Sequence, residues 1–429
     1  MKRFLLVAVA LVLGGGACGG GAAGSGGSGG AAGAGPGGSG GSSGSGSGGT
    51  AGVDAAVGGS TADATIADAG GDLGDEATPP QDAMIDAPID APAATTSFVY
   101  VSGYAEPITV FTLNTATGAL TPASTASTGP DGQPTSLAFS PDKRTLYAGD
   151  EQKDLPMSRV IAFAINQATG ALTEVNRQGT GGTTLAHVGV HPSGKWVLSA
   201  NYGTGDVTVF PVRSDGGIGA GMPRVSAGGQ AHYILFDATG QFLFVPCLAS
   251  HHVAMFRFAD GVLTPNDPPT VPVTGSPRHM VFSPDQRFVY ALTQNESIIL
   301  SFSFDKTTGR LTPLETVNAT PSPSLGAHIA VHPSGKFLYA SNRSDNSVAI
   351  FTVDGASGRL SRVGYQRDMI AYPWGFSIDA TGQLLLVASD RSATVSVHHI
   401  DQTTGTLQRL GMPATVAMRP TFVGVLSLP

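Results

Sequence analysis

Six short runs decide the fold: LAFSPDKR (137–144), VGVHPSGK (188–195), ILFDATGQ (234–241), MVFSPDQR (280–287), IAVHPSGK (329–336) and FSIDATGQ (376–383). Each joins an apolar, alternating stretch to a polar Pro, Asp or Gly turn and is followed by a β-rich run such as TLYAG, WVLSA or FLYAS. Alternation of this kind is the signal of a strand with two unlike faces. An anchor set seven residues before each turn Pro or Ala falls on Pro134, Leu185, Ala231, Pro277, Gly326 and Pro373, spaced 46 to 51 residues apart. Pro420 opens one more equivalent strand. A second signature, Gly-x-Leu or Gly-x-Ile, recurs seven times, from Gly118-Leu120 to Gly405-Leu407.

A period of about 47 residues with four β-runs and no helical periodicity predicts propeller blades. The fold expected is an all-β, seven-bladed β-propeller. Its first blade starts at Phe98-Val99-Tyr100-Val101 without an innermost strand, whereas Thr421 to Val425 has no blade of its own. The carboxyl-terminal strand is therefore expected to complete blade 1 and close the ring, leaving no free edge at the seam.

The rest of the 429 residues is a different material. Residues 19–60 hold 21 Gly in 42 positions and no Lys or Arg, and residues 19–96 carry nine acids without a base. Such a segment buries too little apolar surface to offset the entropy of ordering it, and reads as a disordered linker. From Ser97 onward 21 basic residues face 22 acidic ones. No basic stripe is left to neutralise phosphates, so the sequence argues against nucleic-acid binding.

Lys2 and Arg3 precede the apolar run Phe4–Leu13, which has the character of a secretion signal and about half the ~20 residues of a membrane span. The run ends in Gly15-Gly16-Ala17-Cys18, which resembles a bacterial lipobox with Gly15 in the usual Leu position. The expected organisation is a lipoprotein signal peptide at 1–17, lipidated Cys18 and tether over 18–96, and the propeller over 97–429. Gly19 next to the anchor points to the outer membrane of the cell envelope. Cys247 then has no partner, and reads as a small buried hydrophobe. Two G-x-S-x-G matches in the tether lack the strand and helix that a nucleophile elbow needs.

Superposing the blades exposes a candidate site. In a propeller the start of each inner strand and the loop leaving the second strand share one mouth of the axial channel. The residue after each anchor gives His232, Arg278, Ala327 and Trp374, among others, and the next gives His187, His279 and His328. The residue seventeen after each anchor gives Glu151, Tyr202, Gln294, Arg343 and Asp390, with Tyr104 matching in blade 1. Two arginines near one axis call for an anionic or strongly polar partner. His191 and His332 fall in turns of the opposite face, and His251-His252 and His398-His399 on peripheral segments; all are expected to be solvated.

Over about Ser97–Leu428 the chain resembles the bacterial seven-bladed propeller lactonases of the 6-phosphogluconolactonase type, related to carboxy-muconate lactonising enzymes. The resemblance is carried by Gly275-Ser276-Pro277-Arg278-His279-Met280-Val281-Phe282, by His191-Pro192-Ser193-Gly194-Lys195 with Ala200-Asn201-Tyr202, and by Ala340-Ser341-Asn342-Arg343. It implies a catalytic set of His232, Arg278, the position of Gln294, and Arg343; the superposed blades add His187, His279, His328, Glu151, Tyr202 and Asp390 as expected substrate-binding residues. The family's glutamate falls on Gln294, a companion histidine on Gln230, and an arginine on Trp374. An amide has no basic lone pair for proton transfer, so Gln294→Glu is expected to restore a base.

The implied function is opening of a sugar-type lactone by water, with no cofactor and no metal, since no His or carboxylate pair has zincin-type spacing. The rival is a surface propeller that binds an anionic sugar or a protein ligand without turnover. Arg343, read as an exposed channel residue, is expected to have little packing role. Metabolic palmitate labelling is expected to mark the wild-type chain but not Cys18→Ala; label surviving the substitution contradicts a lipidated Cys18.

Overall fold

The computed structural model describes residues 96–152, 157–416 and 419–428. The signal peptide, Cys18 and nearly all of the tether lie outside the described residues. Among the described residues, twenty-eight strands form seven four-stranded antiparallel sheets. The sheets follow one another along the chain, with one exception. Strand Pro420–Leu428 pairs with Thr96–Gly103 from Thr96↔Leu428 to Gly103↔Pro420, which gives blade 1 its inner strand from the far end of the sequence. The inner strands Pro134–Phe139, Leu185–Val190, Pro277–Phe282, Gly326–Val331 and Pro373–Ile378 start on the anchors read from the repeat.

The period-two alternation of the strands builds the core between blades. Within Thr96–Gly103, Phe98 and Tyr100 pack with Leu146 and Phe163 of the second blade. Val99 and Val101 pack on the other side with Leu384 and Leu386 of the seventh. Each sheet is thus buried on both faces, and no blade completes its core alone.

The recurring hairpin glycines have a packing reason. Gly170, Gly358 and Gly405 hold φ near +70°, and a Cβ on them would strike the rings of Phe98, Phe288 and Phe337. Their carbonyls accept hydrogen bonds from the buried phenols of Tyr100 (2.8 Å), Tyr290 (3.0 Å) and Tyr339 (2.8 Å) in the preceding blades. A turn on one blade is locked to the core of its neighbour.

Three histidines expected to be solvated are buried instead. His191 and His332 use Nε2 on the carbonyls of Gly240 (3.0 Å) and Gly382 (2.7 Å), while Nδ1 accepts from the amides of Ser193 and Ser334. Each His-Pro-Ser-Gly turn therefore pins the Asp-Ala-Thr-Gly turn of the next blade. His398 is fully buried and bonds Ser396 Oγ at 2.9 Å. Cys247 is a buried free thiol, as expected.

Removing residues 420–429 would expose the partners of Val423, Leu426 and Leu428, all nearly inaccessible. At roughly 1.5–3 kcal/mol per side chain, that loss rivals a whole domain's net stability of ~5–15 kcal/mol. The 1–419 truncation is expected to lose the cooperative thermal transition of the full chain; an unchanged Tm contradicts closure by this strand.

Candidate active site

A cavity of about 500 Å³ opens at the channel mouth where the inner strands begin. Regular strands would send adjacent residues to opposite faces, yet Arg278 and His279 both line it. A β-bulge explains this: the ladder runs Pro277↔Thr293 and then His279↔Leu292, leaving Arg278 as the extra residue. The same register shift recurs at Leu185/His187, Pro134/Ser136 and Pro373/Gly375. A bulge bends the strand start and re-aims side chains, so these blades can present two consecutive residues to the axis. In blade 4 the inner strand has regular pairing only at Leu235–Phe236, with a single bridge at Ala231↔Cys247. His232 and Tyr233 enter the cavity from that irregular stretch.

The structure brings His187, His232, His279, His328, Arg278, Arg343, Gln294, Glu151 and Tyr202 together around the cavity. Asp390 is not among them. Its two carboxylate oxygens accept from Arg419 Nε (2.8 Å) and Nη2 (2.9 Å), because the seam before Pro420 carries a cation that sequence spacing does not register.

Arg278 is 3% exposed. Its Nε donates to Gln294 Oε1 at 3.1 Å, while Nη1 donates to the Ala327 carbonyl and to His279 Nε2 at 2.9 Å. Only Nη2 makes no hydrogen bond to a described residue. Arg343 is likewise buried, contrary to the expectation of an exposed side chain. It donates from Nη2 to the Gly326 carbonyl (3.1 Å) and stacks 4.5 Å from the Trp374 ring. Among the described residues neither arginine has a carboxylate within ion-pair distance. Burial, reinforced by Arg343, lowers the Arg278 guanidinium to about 9, which leaves it charged at neutral pH.

The four histidines form one connected cluster. Ring centroids are 5.3 Å apart for His232 and His279, 5.2 Å for His279 and His328, and 6.0 Å for His187 and His279. Burial is the main cause that holds all four below the usual imidazole range, with Arg278 adding to it; His187 and His328 come down to about 3. They are neutral at pH 7. Gln294 sits with its oxygen on Arg278, so a carboxylate in its place would form an ion pair there instead of a free base.

Among the lining residues without an expected role is Tyr233. Tyr233 lies 3.9 Å from His187 and 4.5 Å from His279 between ring centroids. It occupies the same register position as His187, His279 and His328, two after the anchor, so the repeat itself carries the signal for it. The backbone acceptors Gly326 and Ala327 have no side-chain signature at all.

A ring of blades enclosing neutral imidazoles and guanidinium groups without ion-pair partners among the described residues defines a propeller with a polar cavity on its axis. The chain belongs to the lactonase family of seven-bladed β-propellers, whose model matches residues 98–424. The 6-phosphogluconolactonase of Pectobacterium carotovorum subsp. carotovorum is 33% identical over 307 residues, covering 69% of this chain and 89% of the relative. That of Serratia proteamaculans is 29% identical over 303 residues, covering 69% and 89%. The solved structure of the periplasmic gluconolactonase of Pseudomonas aeruginosa is similar at a TM-score of 0.72 and 26% identity, covering 78% of this chain and 100% of that one.

The neutral histidines set a pH dependence. Each has a folded-state value below its unfolded value of about 6.5, so its contribution is complete above that pH and is lost as the unfolded chain takes up protons below it. The loss is at most ~1.4 kcal/mol per pH unit for each histidine, less where the ring meets cavity solvent. Stability measured by urea denaturation is expected to fall steeply from pH 6.5 to 5; a flat profile contradicts neutral burial of the cluster.

Proposed function

We propose that this propeller hydrolyses a sugar-type lactone that carries an anionic group. The observation behind the reading is the pair of buried guanidiniums, Arg278 and Arg343, beside one cavity without an ion-pair partner among the described residues. Buried charge without a counter-ion is costly, and an anionic ligand offsets that cost on binding. The names of the relatives point the same way.

Lactone opening needs water to add to the carbonyl carbon, the oxyanion so formed to be stabilised, and the ring C–O bond to break as its oxygen gains a proton. Arg278 Nη2 is the group available for the developing oxyanion or the substrate's acidic group, with Arg343 beside it. His232 is held well below the usual imidazole range first by burial and then by Arg278 and Arg343. It is a weak base in the empty cavity. An anion that neutralises the arginines raises its basicity, so His232 orients and deprotonates the attacking water best when the proper substrate is present.

The reading extends to place. The amino-terminal signal and lipobox favour an anchored protein of the cell envelope, on the outer membrane, and the Pseudomonas aeruginosa neighbour is named as periplasmic. Partners on this reading are the small-molecule lactone and the membrane through the lipid.

The full chain is expected to open 6-phosphogluconolactone or a hexuronic lactone faster than buffer, and faster than the uncharged gluconolactone. Arg278→Met is expected to lower kcat/KM by about 10²–10³-fold. Its Tm is expected to change little, because relief of the buried charge offsets the acceptors left unpaired on Gln294, Ala327 and His279. No turnover of any lactone by the wild type, or full activity in Arg278→Met, would overturn the reading.

A further inference from the structure

Within the lactone-site reading, the hydrogen bonds around Arg278 assign roles to two histidines that do not need to touch the substrate. A guanidinium has donors only. Since Arg278 Nη1 lies 2.9 Å from His279 Nε2, that nitrogen must accept, and the ring proton of neutral His279 is on Nδ1. His279 Nδ1 lies 2.9 Å from His328 Nδ1. It donates there, which makes His328 Nδ1 the acceptor and puts the His328 proton on Nε2. One direction of donation runs through three residues on two blades.

We propose that His279 and His328 are positioning residues, whose one-way relay Arg278 to His279 to His328 fixes the guanidinium so that Nη2 alone is left for the ligand. The other donors are already committed: Nε to Gln294 and the second Nη1 hydrogen to Ala327. Protonating His279 Nε2 would set it donor to donor against Arg278, and protonating His328 Nδ1 would do the same against His279. The groups around His279 are Arg278, His328, His232, His187 and Tyr233, and His328 also meets Phe376 at 4.8 Å between centroids. None of these is an acid that would favour the imidazolium. The backbone holds the end of the relay, since the His328 amide donates to Ser341 Oγ at 2.9 Å.

The relay makes a claim about protons that holds whether or not the protein turns over lactones. In the full chain carrying 15N-histidine, with signals assigned through His279→Gln and His328→Asn, His279 is expected as the Nδ1–H tautomer and His328 as the Nε2–H tautomer at pH 7. Finding His279 as Nε2–H, or either ring as imidazolium, overturns the proposal. A second arm reads positioning by calorimetric titration with 6-phosphogluconate. His328→Phe, which fills the space but removes the acceptor, is expected to weaken binding about tenfold. His328→Asn, whose Oδ1 can replace Nδ1 as acceptor, is expected to bind within about twofold of wild type; an equal loss in both variants would make the role one of packing and overturn the proposal. If the wild type binds no 6-phosphogluconate, the lactone reading falls and the tautomers still decide the relay.

Discussion

Every sheet in this molecule is apolar on two faces, so each needs a neighbour on either side, and only a closed ring supplies that to all seven. The pairing of Pro420–Leu428 with Thr96–Gly103 is where the ring closes. The cavity spans the closure. Thr421 and Tyr104 line it on blade 1, Trp374 lines it on the adjoining blade, and Arg343 stacks on that Trp. A gap at the seam would therefore reach the axis as well as the rim, because the walls around the arginines come from both ends of the chain.

Within that frame the chemistry depends on an imbalance. The outer surface holds many of its arginines in ion pairs, as in Arg159–Asp150 and Arg419–Asp390. On the axis, among the described residues, the two arginines hydrogen-bond amide and backbone oxygens and imidazole nitrogen, and Glu151, which lines the same cavity, acts on Arg278 beyond ion-pair distance. Gln294 is central to this difference. It orients Arg278 through a neutral oxygen, which leaves the guanidinium charge uncancelled at that contact, where a carboxylate would cancel part of it. Trp374 contributes similarly by giving Arg343 a ring face to lie on without neutralising it.

Much of this was legible in the sequence because a repeat places equivalent residues at equivalent points in space. The blade count, the closing strand and the convergence of His187, His232, His279, His328, Arg278 and Arg343 follow from register alone. What was not legible belongs to contacts made across repeats. Asp390 shares the register of Arg343 and Gln294 but is captured by Arg419 from the seam. His191 and His332 look like exposed turn residues in their own blades and are buried only because the next blade's turn covers them. The bulge at the strand starts, which lets two consecutive side chains face the axis, leaves no composition signal beyond the frequent Pro at the anchor.

Thr96 and Leu428 are paired at the end of blade 1 remote from Tyr104 and Thr421, which flank the cavity. The polypeptide thus enters and leaves the ring on one face, and the cavity opens on the other. A fluorescent protein, an affinity handle or a solid support joined directly at Thr96 or Leu428 would start behind the ring, and solutes would still reach the mouth by free diffusion. The same arrangement makes the propeller a candidate for display: attached from behind, a layer of such molecules would turn their cavities outward toward the bulk solution.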